Sequence, residues 1–364
     1  MFTKIWERYF IIQFLKVFFL FLFCFYGLYI LIDYASHTST LPQNTLQLKF
    51  KELFRYYTYV FASRAEILLP IALLIAFIKT VSDLNSHREL VALMASGFKL
   101  TTLMRPFILV ALLFTVLLFL NEQYLLPTAL KKLRRIEDAT KHQRNKPGQP
   151  IAVKQVVLED GSLLLFQKYD SAKEQFFDAF WIESIDSLYR IRNLAPAQGV
   201  SQPIPIGYFV DHLVRNEQGE LLQQEAYQTF EFKNMRFNQK VLQSAIIDPE
   251  VLSLTELVAR YRDVTDQLYD KESKLLTAFY WKLCLPWLCL LAVFIPAPLC
   301  VRYSRQFPLF FVYVVCLFGL LAFYMFIDAI QLVAKRQVIS PIYALGVPFL
   351  TLFFISGIRF ARMR

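Results

Sequence analysis

The chain has 364 residues, 56% of them hydrophobic, with 36 Phe and a formal net charge of +10. That much apolar and aromatic surface excludes a soluble domain of ordinary composition. Residues 123–275 hold 20 Lys+Arg against 21 Asp+Glu, while the rest of the chain holds 19 against 8. The basic excess therefore lies in the apolar part, where it reads as a topology signal rather than as a nucleic-acid surface.

In chain order, six apolar runs are long enough, alone or with flanking residues, for the roughly 20 residues a membrane crossing requires. Val17–Ile32, extended by Phe10–Leu15, is the first, and Ile67–Ile78, which must borrow neighbours or tilt, is the second. Pro106–Leu120 is the third. Leu283–Val301, Phe307–Val333 and Val338–Ile358 complete the set near the other end of the chain. The first run exceeds a signal-peptide h-region and no small-x-small site follows it, so it reads as a retained span. With the N-terminus placed inside, twelve basic residues flank the spans on the inner side and seven on the outer. This bias puts both termini in the cytoplasm and the large polar segment outside.

Between the second and third runs lies Asn85–Leu100, "NSHRELVALMASGFKL". Ser86-His87-Arg88-Glu89 fits a capping box, Leu90, Leu93 and Met94 share one helical face, and Gly97 suits the position after a helix where φ is positive. A helix of two or three turns is marginal alone. It rests either on the bilayer surface or in a groove of a cytoplasmic partner, as a coupling helix at 86–97. Glu89 is then either a cap or a partner for an arginine on that protein.

The segment 123–275 reads as one domain. Lys131–Lys146 is a charged, solvated connection, and past Pro147 the pattern becomes β. Val153–Leu158 and Ser162–Gln167 flank Glu159-Asp160-Gly161, a hairpin signal. Phe176–Ile185, Leu188–Arg192, Tyr208–Arg215, Leu221–Thr229 and Thr229–Met235 read as further strands, with a turn at Asn216–Gly219. Short strands at this spacing suggest a sandwich or open jelly roll. Helical periodicity returns from Asp248 to Lys274, opened by a capping box at Ser253-Leu254-Thr255-Glu256.

Catalytic signatures are sparse. The four His are scattered, there is no Gly-x-Ser-x-Gly elbow, and Asp160, Asp170, Asp178 and Asp186 are spaced like turn and strand-edge residues rather than as a catalytic pair. All five Cys fall in apolar runs, where they pack as small hydrophobes. No cofactor or metal site is expected. No Gly-x-x-x-x-Gly-Lys-[Ser/Thr] loop occurs, so ATP-driven transport would require a separate ATPase chain. Asp328, late in the fifth run, is either functional or, as the better reading, a carboxylate near the outer interface that is hydrated or paired with Lys335 or Arg336.

The stretch "RELVALMASGF" resembles the cytoplasmic motif of the lipopolysaccharide export permeases LptF and LptG, and is closer to the LptG form. "IWERYFIIQFLKVF", "LID" at Leu31–Asp33, "IIDPEVLSLTEL" and "FYWKLCLPW", with Lys282 at a usually basic position, resemble other segments of that family over most of the chain. The resemblance implies an α-helical membrane protein with six transmembrane helices, arranged 3+3 as 1–122 and 276–364. An all-β, jelly-roll-like periplasmic domain at 123–275 is inserted between them.

It also implies a permease subunit, not an enzyme, that pairs with its paralogue (LptF or LptG) and sits on an LptB-like ATPase dimer. The subunit would extract lipopolysaccharide or lipooligosaccharide from the inner membrane and pass it to an LptC-like or LptA-like bridge, with no nucleic-acid partner. Carried over by position, Glu89, Leu90, Leu93, Met94 and Gly97 are the ATPase contact. Some members carry lysines at the outer end of the first span to meet lipid phosphates. Here Ile32–Gln47 has none, and Lys49, Lys51, Arg55 and Arg64 are the nearest candidates. Two other classes compete. A mechanotransmission permease usually places its outer domain after the first span rather than the third. An intramembrane enzyme would need a polar set within the spans.

Overall fold

A computed structural model describes residues 4–37, 50–133, 154–158, 161–170, 175–184, 186–196, 204–216, 221–235, 248–263, 269–301 and 309–362. The chain divides into two compact units, residues 1–144 with 249–364, and residues 145–248. The expected domain limits of 123–275 are therefore wider than the compact β unit. The helical segments on either side of it pack with the membrane helices, as when Gln123 Nε2 donates to Thr255 Oγ1 at 2.8 Å.

The first unit contains α1 (Ile5–His37), α2 (Phe50–Ser86), α3 (Glu89–Ala95) and α4 (Leu100–Leu120). After α4 a π-helical turn, Asn121–Leu125, leads into a helical continuation to Leu133. Following the β unit come α5 (Leu254–Asp263), α6 (Tyr269–Cys284), a 3-10 turn (Leu285–Trp287), α7 (Leu288–Phe294), α8 (Ala297–Val301), α9 (Leu309–Lys335) and α10 (Pro341–Ala361). Six of the described stretches are long and apolar enough to cross a membrane: Ile5–Ser36, Phe54–Ser86, Leu100–Leu133, Ser273–Val301, Phe310–Lys335 and Pro341–Ala361. The short second run is thus the core of a 37-residue helix.

In hydrocarbon, helices associate through close packing rather than through escape from water. The contact of α1 shows this. Phe10, Phe14 and Phe18 recur every fourth residue and are buried, which places them on one ridge. Phe10 and Phe14 meet Phe107 of α4 at centroid distances of 5.9 and 5.5 Å, and Phe18 meets Phe114 at 4.5 Å. Phe77 of α2 closes the cluster against Phe107 at 5.3 Å. One face of α1, with Ile12, Leu20, Phe23 and Leu31, stays exposed.

The second unit is one antiparallel sheet in simple sequence order: β1 (Lys154–Val157), β2 (Leu163–Asp170), β3 (Gln175–Ile182), β4 (Ser187–Ala195), β5 (Ile206–Arg215) and β6 (Leu221–Glu231). The hairpin expected around Gly161 forms: its φ is +80° and its amide donates to Leu158 O at 3.1 Å. The two strands expected over 221–235 are one strand followed by a turn. The Asn216–Gly219 turn, past Asn216, lies outside the described residues. Among the described residues the strands form a meander in one sheet. The sequential order is what short consecutive hairpins produce, and no Greek-key crossing of a jelly roll is among them.

One feature of this sheet defeats a period-two reading. Buried positions step by three rather than two in adjacent strands: Phe176 to Ala179, Ile191 to Leu194, and Gly207 to Val210. The steps lie opposite one another, since Ala179 pairs with Ile191 and Ile191 with Val210, while Phe176 pairs with Leu194 and Leu194 with Gly207. These three strands slip at the same level, so their register is kept while the inward face changes phase. Positive φ at Asp178 (50°) and Phe209 (53°), uncommon for side-chain-bearing residues, falls within two of the steps. Gly207 lies under Phe232, and a Cβ there would sit 2.7 Å from the ring.

Candidate functional site

Two places in the helical unit concentrate chemistry, at opposite ends of the bundle. The first is the turn around α3. The expected capping box does not form. Ser86 is the last residue of α2, and the residue before α3 is Arg88, with φ 59° and no side-chain cap. The reason is the length of α2, which runs through Ser86 and leaves only His87 and Arg88 to reverse the chain. Glu89 instead accepts a hydrogen bond from Tyr9 Oη of α1 at 3.3 Å, and Tyr9 in turn accepts one from Gln13 Nε2 at 3.0 Å.

The far end of α3 closes as expected. Gly97 has φ +92°, its amide donates to Met94 O at 3.0 Å, and the Phe98 amide donates to Leu93 O at 3.2 Å. This pair of bonds is the Schellman arrangement. Leu90 is 2% exposed and seated against the bundle, with Leu93 and Met94 half-buried beside it. The outward face carries Val91, Ala92, Ala95 and Ser96. The expected apolar stripe is therefore largely the helix's anchor to its own chain, because a seven-residue helix needs one.

The second place is a cavity of about 670 Å³ lined by α1, α2, α4 with its continuation, α6, α9 and Glu250. Its charged lining is Asp33, Arg64, Glu66, Glu122, Glu250, Lys282, Asp328 and Lys335. The π-turn matters here. By widening one turn of the helix it brings both Asn121 and Glu122 to the inside. Asn121 Nδ2 donates to Ala62 O at 2.9 Å, and Glu122 Oε2 lies 3.5 Å from Lys282 Nζ, both of these charged side chains being 3% exposed. Tyr324 Oη donates to Glu66 Oε1 at 3.4 Å. Both contacts link the first three spans to the last three.

Of the expected phosphate contacts, Lys49 and the side chain of Lys51 lie outside the described residues. Arg55 is exposed on α2, and Arg64 lines the cavity with its guanidinium 6.0 Å from the Tyr29 ring centroid. Asp328 also lines the cavity, but the ammonium of Lys335 bonds Glu250 at 2.7 Å. In the β unit Asp178 faces Arg190 at 3.9 Å, and Asp211 lines the same pocket. Sequence reading missed Glu122. Its signal is an Asn-Glu pair at the end of an apolar run, where an acid is costly unless partnered.

The capping box at Ser253 is present in both halves: the Ser253 amide donates to Glu256 Oε2 at 2.9 Å and the Glu256 amide to Ser253 Oγ at 3.2 Å. Acceptance from the Ser253 amide holds the Glu256 carboxyl below its usual range.

No curated protein matches this chain. The profile of one family, described as lipopolysaccharide export system permease LptF/LptG, matches residues 8–362. Nearly the whole chain is covered, six apolar helices are present, and the short helix between the second and third of them is formed. The chain belongs to the LptF/LptG family of lipopolysaccharide export permeases, as a multi-pass inner-membrane protein.

Proposed function

We propose that this permease is the membrane subunit of an ATP-driven exporter whose ATPase, an LptB-like dimer, is a separate chain docking on α3. The observation that carries the reading is α3 itself: a short helix closed by Gly97, anchored by Leu90 and presenting Val91 and Ala95 outward between two spans. The sequence has no Gly-x-x-x-x-Gly-Lys-[Ser/Thr] loop, and a contact of this kind would couple the chain to a separate ATPase. Glu89, Leu93, Met94 and Gly97 complete the proposed dock, with Leu90 as its anchor.

In this reading both termini are cytoplasmic and the β unit is periplasmic. A paralogous LptF or LptG subunit completes a lipid-sized cavity. Lipopolysaccharide taken from the inner membrane passes to an LptC-like or LptA-like bridge. Arg64, with Arg55, Lys49 and Lys51, meets the lipid phosphates near the outer surface. The test is Glu89→Arg in the full chain. ATPase co-purification is expected to fall while abundance stays near wild type, since the one partly exposed hydrogen bond lost is worth only about 0.5–1.5 kcal/mol. Full ATPase binding and transport in this variant would refute the dock.

A further inference from the structure

Glu89 opens a helix that has no side-chain cap and follows a residue at positive φ. Nothing in α3 itself fixes the direction of its carboxylate. What holds it comes from 80 residues away. Tyr9 and Gln13 are four apart on α1, so they share a face. Gln13 Nε2 donates to Tyr9 Oη at 3.0 Å, which leaves the phenol proton to be donated to Glu89 Oε1 at 3.3 Å. The relay has one consistent direction: amide to phenol to carboxylate.

The other end of α3 is gripped from the same helix. Trp6, three residues before Tyr9, meets Phe98 at 5.9 Å between ring centroids, and Lys4 Nζ lies 5.1 Å from the centroid of that ring. Phe98 is the residue whose amide closes the Schellman end. The first turns of α1 thus bracket α3 at both ends. Farther along, the ridge of Phe packs α1 on α4 and Tyr26 packs on Phe61 of α2 at 4.9 Å, while one face of α1 stays exposed.

We infer that Tyr9, oriented by Gln13, is the positioning residue for Glu89, and that the start of α1 is the seat on which α3 is carried. Resting on the proposed dock, this makes α1 the span that feels a partner's pull on α3. Tyr9 touches no substrate; it acts through Glu89.

The experiment uses the full chain in nanodiscs, with Tyr9→Phe, Glu89→Ala, Glu89→Gln and the Tyr9→Phe/Glu89→Ala pair. Tyr9→Phe keeps the ring and removes one hydroxyl. Amide hydrogen exchange over residues 90–95, measured without ATPase, is expected to quicken about two- to tenfold, the worth of one partly exposed hydrogen bond. Glu89→Gln, which still offers an acceptor oxygen, is expected to keep wild-type protection. ATPase affinity is expected to drop by a similar factor in Tyr9→Phe and to show no further drop when Tyr9→Phe is added to Glu89→Ala. Unchanged exchange in Tyr9→Phe overturns the inference, as does an equal loss of affinity in both backgrounds. Wild-type affinity in Glu89→Ala, with exchange still quickened by Tyr9→Phe, sinks the docking reading instead and leaves the seat standing.

Discussion

Neutralising one member of the Glu122–Lys282 dyad tests whether the cavity wets it. Both side chains are 3% exposed and their charged atoms are 3.5 Å apart. Neither Glu122 Oε2 nor Lys282 Nζ has a hydrogen-bond partner of ordinary geometry, so the attraction is mainly coulombic. At an effective dielectric constant near 20 it amounts to about 5 kcal/mol, set against the several kcal/mol of desolvation each ion suffers. The intact pair therefore contributes little net stability, but a lone buried charge is expensive. Glu122→Gln is expected to cost about 3–5 kcal/mol, a large part of the roughly 5–15 kcal/mol that holds a domain together. Glu122→Leu combined with Lys282→Met is expected to lie within about 1 kcal/mol of wild type. Reversible denaturation of the full chain in detergent, on Glu122→Leu, Lys282→Met and the two combined, reads the coupling directly. Small and additive single effects, each under about 1 kcal/mol, would refute the reasoning, because they would mean that water from the cavity already solvates both groups.

Five other outcomes are expected. Ser253→Ala should destabilise α5 by about 0.5–2 kcal/mol, seen as faster amide exchange at 254–257. Because the Glu256 carboxyl is held below its ordinary value, its contribution is present above the usual Glu pKa of about 4.3 and is lost as pH falls through the lowered one, so wild-type protection there should decline in acid. Gly207→Ala forces a methyl against Phe232 and Val210 Cγ2 and should cost about 1–3 kcal/mol, read in the melting of the β unit's tryptophan signal. A Lys49→Ala, Lys51→Ala, Arg55→Ala triple variant should lower lipopolysaccharide photocrosslinking with ATPase still bound, each charge being worth roughly 1 kcal/mol near an anionic surface; unchanged crosslinking would move the phosphate site elsewhere. In a cysteine-free background, Gly161→Cys should react with an impermeant thiol reagent from outside and His87→Cys should not, and reversed labelling would overturn the orientation.

The spans were legible because a bilayer demands length and apolarity, and both are written residue by residue; even Ile67–Ile78 needed only its helical flanks. Gly97 and the Ser253 box were legible because each depends on local backbone chemistry. The start of α3 was not, since Ser86 serves equally well as a cap or as the last turn of a longer helix, and tertiary packing chose the second. Leu90 shows the same limit: periodicity finds an apolar face without saying what that face touches. Glu122 was hidden by the π-turn, which breaks the 3.6-residue period used to assign faces. The strands around Gly161 were readable from alternation, whereas Phe176 and Ala179 cannot both be placed inward by alternation at all.

The shared three-residue step across β3, β4 and β5 constrains how this sheet can change over evolutionary time. A one-residue deletion between Phe176 and Ala179 would turn half of β3 inside out while its neighbours kept their orientation. Repair would require matching deletions in β4 and β5 at the same level, or a β-bulge to absorb the odd residue. The hairpin loops carry no such linkage and can vary in length one at a time. The seam should therefore outlast the side chains around it: hydrophobic identities can drift within each half-strand, while the count of residues between the inward positions on either side stays fixed.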